Sequence, residues 1–194
     1  MHRPLFFLVL FSFIFSLPSF SQKVVVRVGI DNKITLPKSD TIYYDQKRKL
    51  TWDDFKGKPD INHKGSAVTS SGFAYSWNGK EDGETLYLDI SVYTFFTKSN
   101  SWKKIGVDNA YHLGHEQRHF DITMLGAKNF VHELKKVSFD IQNYKQLINQ
   151  IFNRVYDENL SLQFKYDRET KHSLDKEKQE EWNERVGKAV RSEL

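Results

Sequence analysis

The sequence predicts an α+β fold in which an N-terminal antiparallel sheet of β-hairpins packs against a C-terminal helical part. One observation is the β-branched and aromatic character of residues 24–28 and 41–44, which is typical of short strands. Another is a pair of alternating runs, residues 67–77 and 85–96, on either side of a polar, glycine-containing segment at residues 78–83. A turn segment between two alternating runs is typical of a hairpin.

The second half of the chain changes to a helical period. Apolar and histidine positions recur every three or four residues from about residue 108 to 137, which predicts an amphipathic helix. A second helix is predicted from residue 140 to about 164 and, after a polar break at residues 166–173, a charged third helix from 174 to about 191. The candidate N-caps are Asp108 for the first helix and Ser173 or Asp175 for the third.

Composition limits the classes of function. The 194 residues suit one domain, and 29 Lys and Arg against 25 Asp and Glu give a net charge of only +4. Because these charges are mixed along the chain, no nucleic-acid partner is expected. With no cysteine in the sequence, disulfides, thiol nucleophiles and cysteine-ligated metals are excluded. A metal site in this chain must therefore use His, Asp and Glu.

Residues 1–21 have the layout of a secretory signal peptide: a basic tip, an apolar run, and then a proline followed by small residues. The apolar run is shorter than the about 20 residues that a membrane span requires. We therefore expect cleavage before Gln22 and no stable membrane insertion afterwards. The expected mature protein is one domain, residues 22–194, exported to the periplasm or secreted.

The segment that indicates chemistry is His115-Glu116-Gln117-Arg118-His119, a His-Glu-x-x-His pattern on a predicted helix. Two histidines four residues apart lie on one helical face, so both imidazoles can bind one Zn²⁺ ion. Glu116 is then placed beside the metal, where it can act as general base toward a water that the zinc activates. The pattern predicts one zinc per chain, bound by His115 and His119.

The rise and rotation per residue of the predicted helices do not determine the third metal ligand. Asp121 points about 200° away from His119, so it is not expected to bind the metal. If a tight turn follows the first helix, Asp157 or Glu158 on the second helix returns to the level of His119. The polar break beyond that helix can also bring His172 back to the site, and a loop accommodates ligand placement more easily.

Two other histidines receive weaker expectations. His112 lies three residues before His115 and is as consistent with contact to a substrate as with metal ligation. His63 lies in a predicted loop, and its position gives no argument for a role.

Several motifs give the chain a resemblance to a known family. It resembles the exported bacterial family called domain of unknown function 922, which is regarded as a family of zinc-dependent proteases. The matching motifs are Trp52-Asp53-Asp54-Phe55, Ser101-Trp102-Lys103-Lys104, His115-Glu116-Gln117-Arg118-His119-Phe120-Asp121 and Tyr166-Asp167-Arg168-Glu169-Thr170-Lys171-His172, followed by Gln179 and Trp182. The resemblance favours His172 as third zinc ligand. In the loop before it, Tyr166 is a candidate oxyanion donor and Asp167 a group that orients a metal-bound histidine. Ser173 departs from the family pattern, which has glycine there.

Together these features predict an exported zinc metallohydrolase, specifically a peptidase acting on peptide or protein substrates, with Glu116 as general base. One alternative is an envelope binding or adhesion module that zinc stabilises without catalysis. Another is a zinc enzyme that hydrolyses amide bonds of the cell wall, which the mild positive charge would suit.

Overall fold

The computed structural model describes residues 23–32 and 39–192, and it confirms the α+β class. The predicted signal peptide, residues 1–21, lies outside these ranges. Within them, no helix is long and apolar enough to span a bilayer. The elements are β1 (Lys23–Ile30), β2 (Thr41–Tyr43), β3 (Ala67–Val68), β4 (Ser71–Asp82), β5 (Thr85–Thr97), β6 (Trp102–Lys103), α1 (Ala110–Lys135), α2 (Tyr144–Thr170) and α3 (Lys176–Arg191).

The main sheet is built around β5. Strand β4 pairs with it antiparallel from Ser71 opposite Phe96 to Asp82 opposite Thr85, which confirms the predicted hairpin. On the other side of β5, β1 pairs along its first part and β2 along its last residues. Strand β1 runs parallel to β5, so the expectation of a wholly antiparallel sheet was wrong for this strand. A second, two-stranded sheet joins β3 to β6.

The turn of the hairpin is shorter than predicted. Strand pairing continues through residues 78–82, and only Gly83 and Glu84 separate β4 from β5. Gly83 has a φ of 58°, a left-handed conformation that favours glycine. The polar residues before it therefore belong to an exposed part of the strand, because hydrogen bonds across a hairpin do not require apolar side chains.

The core lies between the sheet and α1. Alternate residues of β5 are buried on one face, from Leu86 to Phe96, as the period of two requires. Helix α1 packs its apolar stripe against this layer; the rings of Phe96 and Phe120 lie 5.9 Å apart, and those of Tyr75 and Phe130 lie 5.2 Å apart. This packing fixes α1, and with it the His-Glu-x-x-His segment, against a rigid sheet.

Two helix boundaries differ from expectation. Asn109, not Asp108, caps α1: its side chain accepts the backbone N–H of His112, whereas Asp108 pairs with Lys103. Helix α2 continues to Thr170, through most of the segment that was predicted to be a polar break. For α3, the structure confirms Asp175 as the cap, since its carboxylate accepts the N–H of Lys178.

The register between α1 and α2 determines which residues meet. The connection between the helices takes up residues 136–143 and includes a β-bridge between Asp140 and Lys23. A tight turn was expected, and the longer connection shifts α2 so that Gln163 lies beside His119. Glu158 lies more than one helical turn before Gln163 and forms an ion pair with Arg154 instead. The expectation that Asp157 or Glu158 returns to the metal site was therefore wrong.

Close packing between the helices gives a stability prediction. A Cβ on Gly126 would lie 2.7 Å from the side chain of Asn159 and 2.8 Å from the ring of Phe73. Since the Asn159 amide is held by the Ile122 carbonyl, Gly126→Ala should lower the free energy of unfolding by about 1–3 kcal/mol. In the same helix, a Cβ on Gly114 would meet no atom of the described residues within 4 Å.

Gly114→Ala is therefore the matched control, and it should raise the free energy of unfolding by up to about 1 kcal/mol through helix propensity alone. Urea denaturation measures both changes. Equal effects of the two substitutions would contradict the packing described for Gly126.

Candidate metal centre

Three electron-pair donors converge where α1 faces the end of α2. His119 Nε2 lies 3.0 Å from Asp167 Oδ1, and His115 Nε2 lies 3.2 Å from the same oxygen. The two Nε2 atoms lie 3.3 Å from each other. Together, His115, His119 and Asp167 form a group whose ligand atoms are all close enough to hold a metal ion.

The donor set fits zinc. Zn²⁺ is bound tetrahedrally at about 2.0–2.1 Å by imidazole nitrogens and carboxylate oxygens, which sets the ligand atoms about 3.3–3.4 Å apart. The spacing of the two imidazole nitrogens matches this edge, and the distances to the carboxylate oxygen are slightly shorter. Lone pairs repel at this spacing unless a cation or a shared proton lies between them. The sequence-based assignment of His115 and His119 to one ion therefore agrees with their geometry.

A glutamine on α2 sets the tautomer of His119. The Gln163 amide nitrogen donates to the carbonyl of His119 at 3.0 Å, so the amide oxygen faces the ring and accepts from Nδ1 at 2.7 Å. With its proton on Nδ1, the neutral ring keeps a lone pair on Nε2. That lone pair is the one a metal needs.

A glutamine on α3 does the same for His115. The guanidinium of Arg118 donates to Asn183 Oδ1, and so does the amide nitrogen of Gln179, at 3.2 and 3.0 Å. Since Asn183 offers an oxygen, the other end of the Gln179 amide must be its oxygen, and this accepts from His115 Nδ1 at 2.9 Å. All three helices therefore hold the two imidazoles in the ligand tautomer.

Electrostatics in the metal-free site favour a bound positive charge. Burial raises the pKa of Asp167, but hydrogen bonds and positive charge from His115 and His119 outweigh this and hold it well below its usual range. Burial lowers the pKa of His119, yet its hydrogen bond to Asp167 and the charges of Glu116 and Asp167 raise it above its ordinary value overall. A carboxylate that stays ionised beside two imidazoles is suited to a divalent cation.

Glu116 faces the same cavity, which has a volume of about 160 Å³. Its carboxylate is buried and accepts a hydrogen bond of 2.7 Å from the Thr69 hydroxyl, which also contacts the Glu116 carbonyl. Thr69 lies just beyond β3, so the small sheet helps to position the carboxylate. Glu116 is thus held near the converging ligands without belonging to them.

His172 lines this cavity but lies at its edge. Its Nδ1 is 3.4 Å from Asp167 Oδ1, and half of its side chain is exposed. Lys171, His172 and Ser173 all have left-handed backbone, with φ values of 50°, 52° and 72°. For residues with a Cβ this costs about 1–2 kcal/mol each, and strain of this kind is commonly retained at functional sites. The role of His172 as a zinc ligand stays a prediction.

Tyr166 does not line the cavity. It is fully buried, stacks on the His115 ring at 4.6 Å, and donates its hydroxyl proton to the His115 carbonyl while accepting from Gln179. The expected oxyanion role was therefore wrong, because its hydroxyl is used inside the core. Asp121 points away as expected, toward Tyr44 and Arg118.

Sequence reasoning missed Asp167 as a candidate ligand and expected it only to orient a histidine. It also gave no role to Gln163, Gln179 or Thr69. Asp167 lies four residues after Gln163, on the same face of α2. The sequence could have revealed this spacing only if the predicted second helix had been extended past residue 164.

Part of the chain matches a known protein family. Residues 100–173 match the model of a family described as bacterial protein of unknown function (DUF922). The resemblance to domain of unknown function 922 is therefore confirmed for residues 100–173. The matched segment contains α1, α2 and the three converging residues, so the DUF922 segment carries the candidate metal centre, whereas Thr69 and Gln179 lie outside it. No curated protein and no solved structure matches the chain.

The geometry predicts different contributions from the two candidate third ligands. Loss of a hydrogen-bond partner outside the ligand set weakens metal binding by about 10–100-fold. Asp167→Asn should weaken zinc binding by more than this, because it removes the negative charge of a converging oxygen. His172→Asn should weaken it less, because His172 is half exposed at the edge. Competition with a chromophoric chelator measures both affinities. A larger loss for His172→Asn would make His172 the principal third ligand.

Zinc affinity should also depend on pH. The raised pKa of His119 means that the metal-free protein keeps a proton there to higher pH than an ordinary histidine. Zinc must displace this proton, so affinity should fall about tenfold per pH unit below that pKa and level off above it. Calorimetry in buffers of different ionisation enthalpy measures the proton released. A zinc affinity that stays constant as the pH passes through this pKa would contradict the coupling between zinc binding and loss of the His119 proton.

Proposed function

We propose that this protein is an exported zinc-dependent hydrolase, specifically a peptidase. The observation that carries the proposal is that the Glu116 carboxylate lines the same cavity as His115, His119 and Asp167 without being one of the converging ligands. A metal site with a separate, buried carboxylate beside it is typical of hydrolases that need a general base. Residues 1–21, with their secretory pattern, support export.

Each residue has a role in this proposal. His115, His119 and Asp167 would hold the ion, with His172 available at the edge. When bound, zinc activates water and polarises the carbonyl to be attacked. Glu116, held by Thr69, accepts the proton released from the attacking water and returns it to the leaving amine.

The shape of the cavity supports a peptide substrate. Ala67, Val68 and Thr69 form one wall of it. Strand β3 pairs with β6 along one edge, and in the described part of the chain no strand pairs with its other edge. An extended peptide can add to such an edge through main-chain hydrogen bonds, which would place a peptide bond next to Glu116.

Glu116→Gln tests the proposal. The amide has the shape of the carboxylate but cannot accept the proton, so hydrolysis of casein should fall by about 10²–10⁴-fold. Zinc content should stay unchanged, because Glu116 is not among the converging ligands. Glu184→Gln, at an exposed position of α3, is the matched control and should leave hydrolysis unchanged.

Four other results would redirect the proposal. Full hydrolysis by Glu116→Gln would remove Glu116 as general base, and loss of zinc in this variant would make it a ligand. Activity on purified peptidoglycan but not on casein would assign the chemistry to cell-wall amide bonds. If zinc raises stability while neither substrate is hydrolysed, the site is structural.

A further inference from the structure

Five histidines line the cavity, and hydrogen bonds divide them into classes. They are His63, His112, His115, His119 and His172. His115 and His119 carry their proton on Nδ1 and present a lone pair on Nε2. The ring contacts of His63 and His112 are of the opposite kind.

The tautomer of His112 follows from the cap of α1. Asn109 accepts the backbone N–H of His112 with its side-chain oxygen at 2.8 Å, which leaves its amide nitrogen as the end that faces the ring. This nitrogen lies 2.7 Å from His112 Nδ1 and can only donate. Nδ1 therefore carries the lone pair, and the proton of the neutral ring is on Nε2.

In His63, a different contact leaves the lone pair on Nδ1. The backbone N–H of Gly65 donates to its Nδ1 at 3.0 Å, and a backbone N–H cannot accept. The ring is further fixed by an edge contact with Trp102, at 5.3 Å between centroids. The neutral His63 ring must therefore also carry its proton on Nε2.

We propose that His63 and His112 form a two-donor subsite for an oxygen of the substrate. Its ligands are carbonyl and carboxylate oxygens and, above all, the oxyanion that forms when water adds to a carbonyl. The proposal rests on the proposed function for this last role. It fills a role for which Tyr166 is unsuited, because the Tyr166 hydroxyl is buried against the His115 carbonyl.

These groups account for every proton and electron pair that moves during hydrolysis. The oxygen of water bonds to the carbonyl carbon while its proton passes to Glu116, and the π electron pair of the carbonyl moves onto its oxygen. Nε2–H groups stabilise that negative charge as it develops. The carbon–nitrogen bond then breaks, the carbonyl re-forms, and the proton held by Glu116 passes to the leaving amine.

The subsite is tested directly by NMR. Long-range ¹H–¹⁵N correlation of the side chains, assigned with single His→Gln variants, distinguishes the two tautomers of each neutral ring. We expect protonated Nε2 in His63 and His112 and protonated Nδ1 in His115 and His119. Zinc should shift the Nε2 resonances of the latter pair. Protonated Nδ1 in His63 or His112, or a zinc-ligand shift at either ring, would overturn the proposal.

Variants test whether the donors act on substrate. His112→Leu should lower kcat by about 10²–10³-fold, the usual loss for one oxyanion donor, with zinc content unchanged. His112→Gln, which keeps an N–H near the position of Nε2, should recover part of this loss. His132→Leu, at an exposed position in the last turn of α1, is the matched control and should change nothing. A kcat unchanged in His112→Leu would overturn the role.

A binding measurement separates this proposal from the proposed function. Acetohydroxamate supplies a carbonyl oxygen without being hydrolysed as a peptide, and calorimetry measures its affinity for the zinc-loaded protein. Affinity should fall about tenfold in His112→Leu and in His63→Leu, and stay unchanged in His132→Leu. This result would support the subsite even if no peptide were cleaved, whereas equal affinities in all variants would refute it.

Discussion

Two imidazole lone pairs and one carboxylate oxygen are held within 3.3 Å of one another, and the arrangement of the three helices serves this convergence. Helix α1 supplies both imidazoles from successive turns. Helix α2 runs back along α1 and places Asp167 opposite them. Without a cation or a shared proton this spacing is repulsive, so the packing of a whole domain stabilises an arrangement that becomes favourable when a metal binds.

Hydrogen bonds to the histidine rings determine which ring nitrogen carries the proton. Glutamines from α2 and α3 leave a lone pair on Nε2 of His115 and His119, while Asn109 and the Gly65 backbone leave the proton on Nε2 of His112 and His63. One residue type therefore serves two purposes in a cavity of about 160 Å³. In all four rings the partner contacts Nδ1, and the difference is set by whether that partner accepts or donates a hydrogen bond.

The sequence alone predicted the fold class, the hairpin, the three helices and the two histidines of the candidate metal centre, because these depend on local periodicity. It failed where distance along the chain had to be converted into position. The eight residues between α1 and α2, in place of a tight turn, moved Asp157 and Glu158 out of reach and brought Gln163 and Asp167 into the site. Tyr166 was misassigned because its stacking on His115 depends on the path of α2, which ended too early in the sequence-based prediction.

The central claim is that one zinc ion lies between His115, His119 and Asp167. X-ray absorption spectroscopy of the zinc-loaded protein tests it most directly. The account predicts a four-coordinate spectrum with imidazole multiple scattering from at least two histidines and no sulfur, at ligand distances of about 2.0–2.1 Å. A spectrum without imidazole scattering, or with an ion surrounded only by water oxygens, would contradict it.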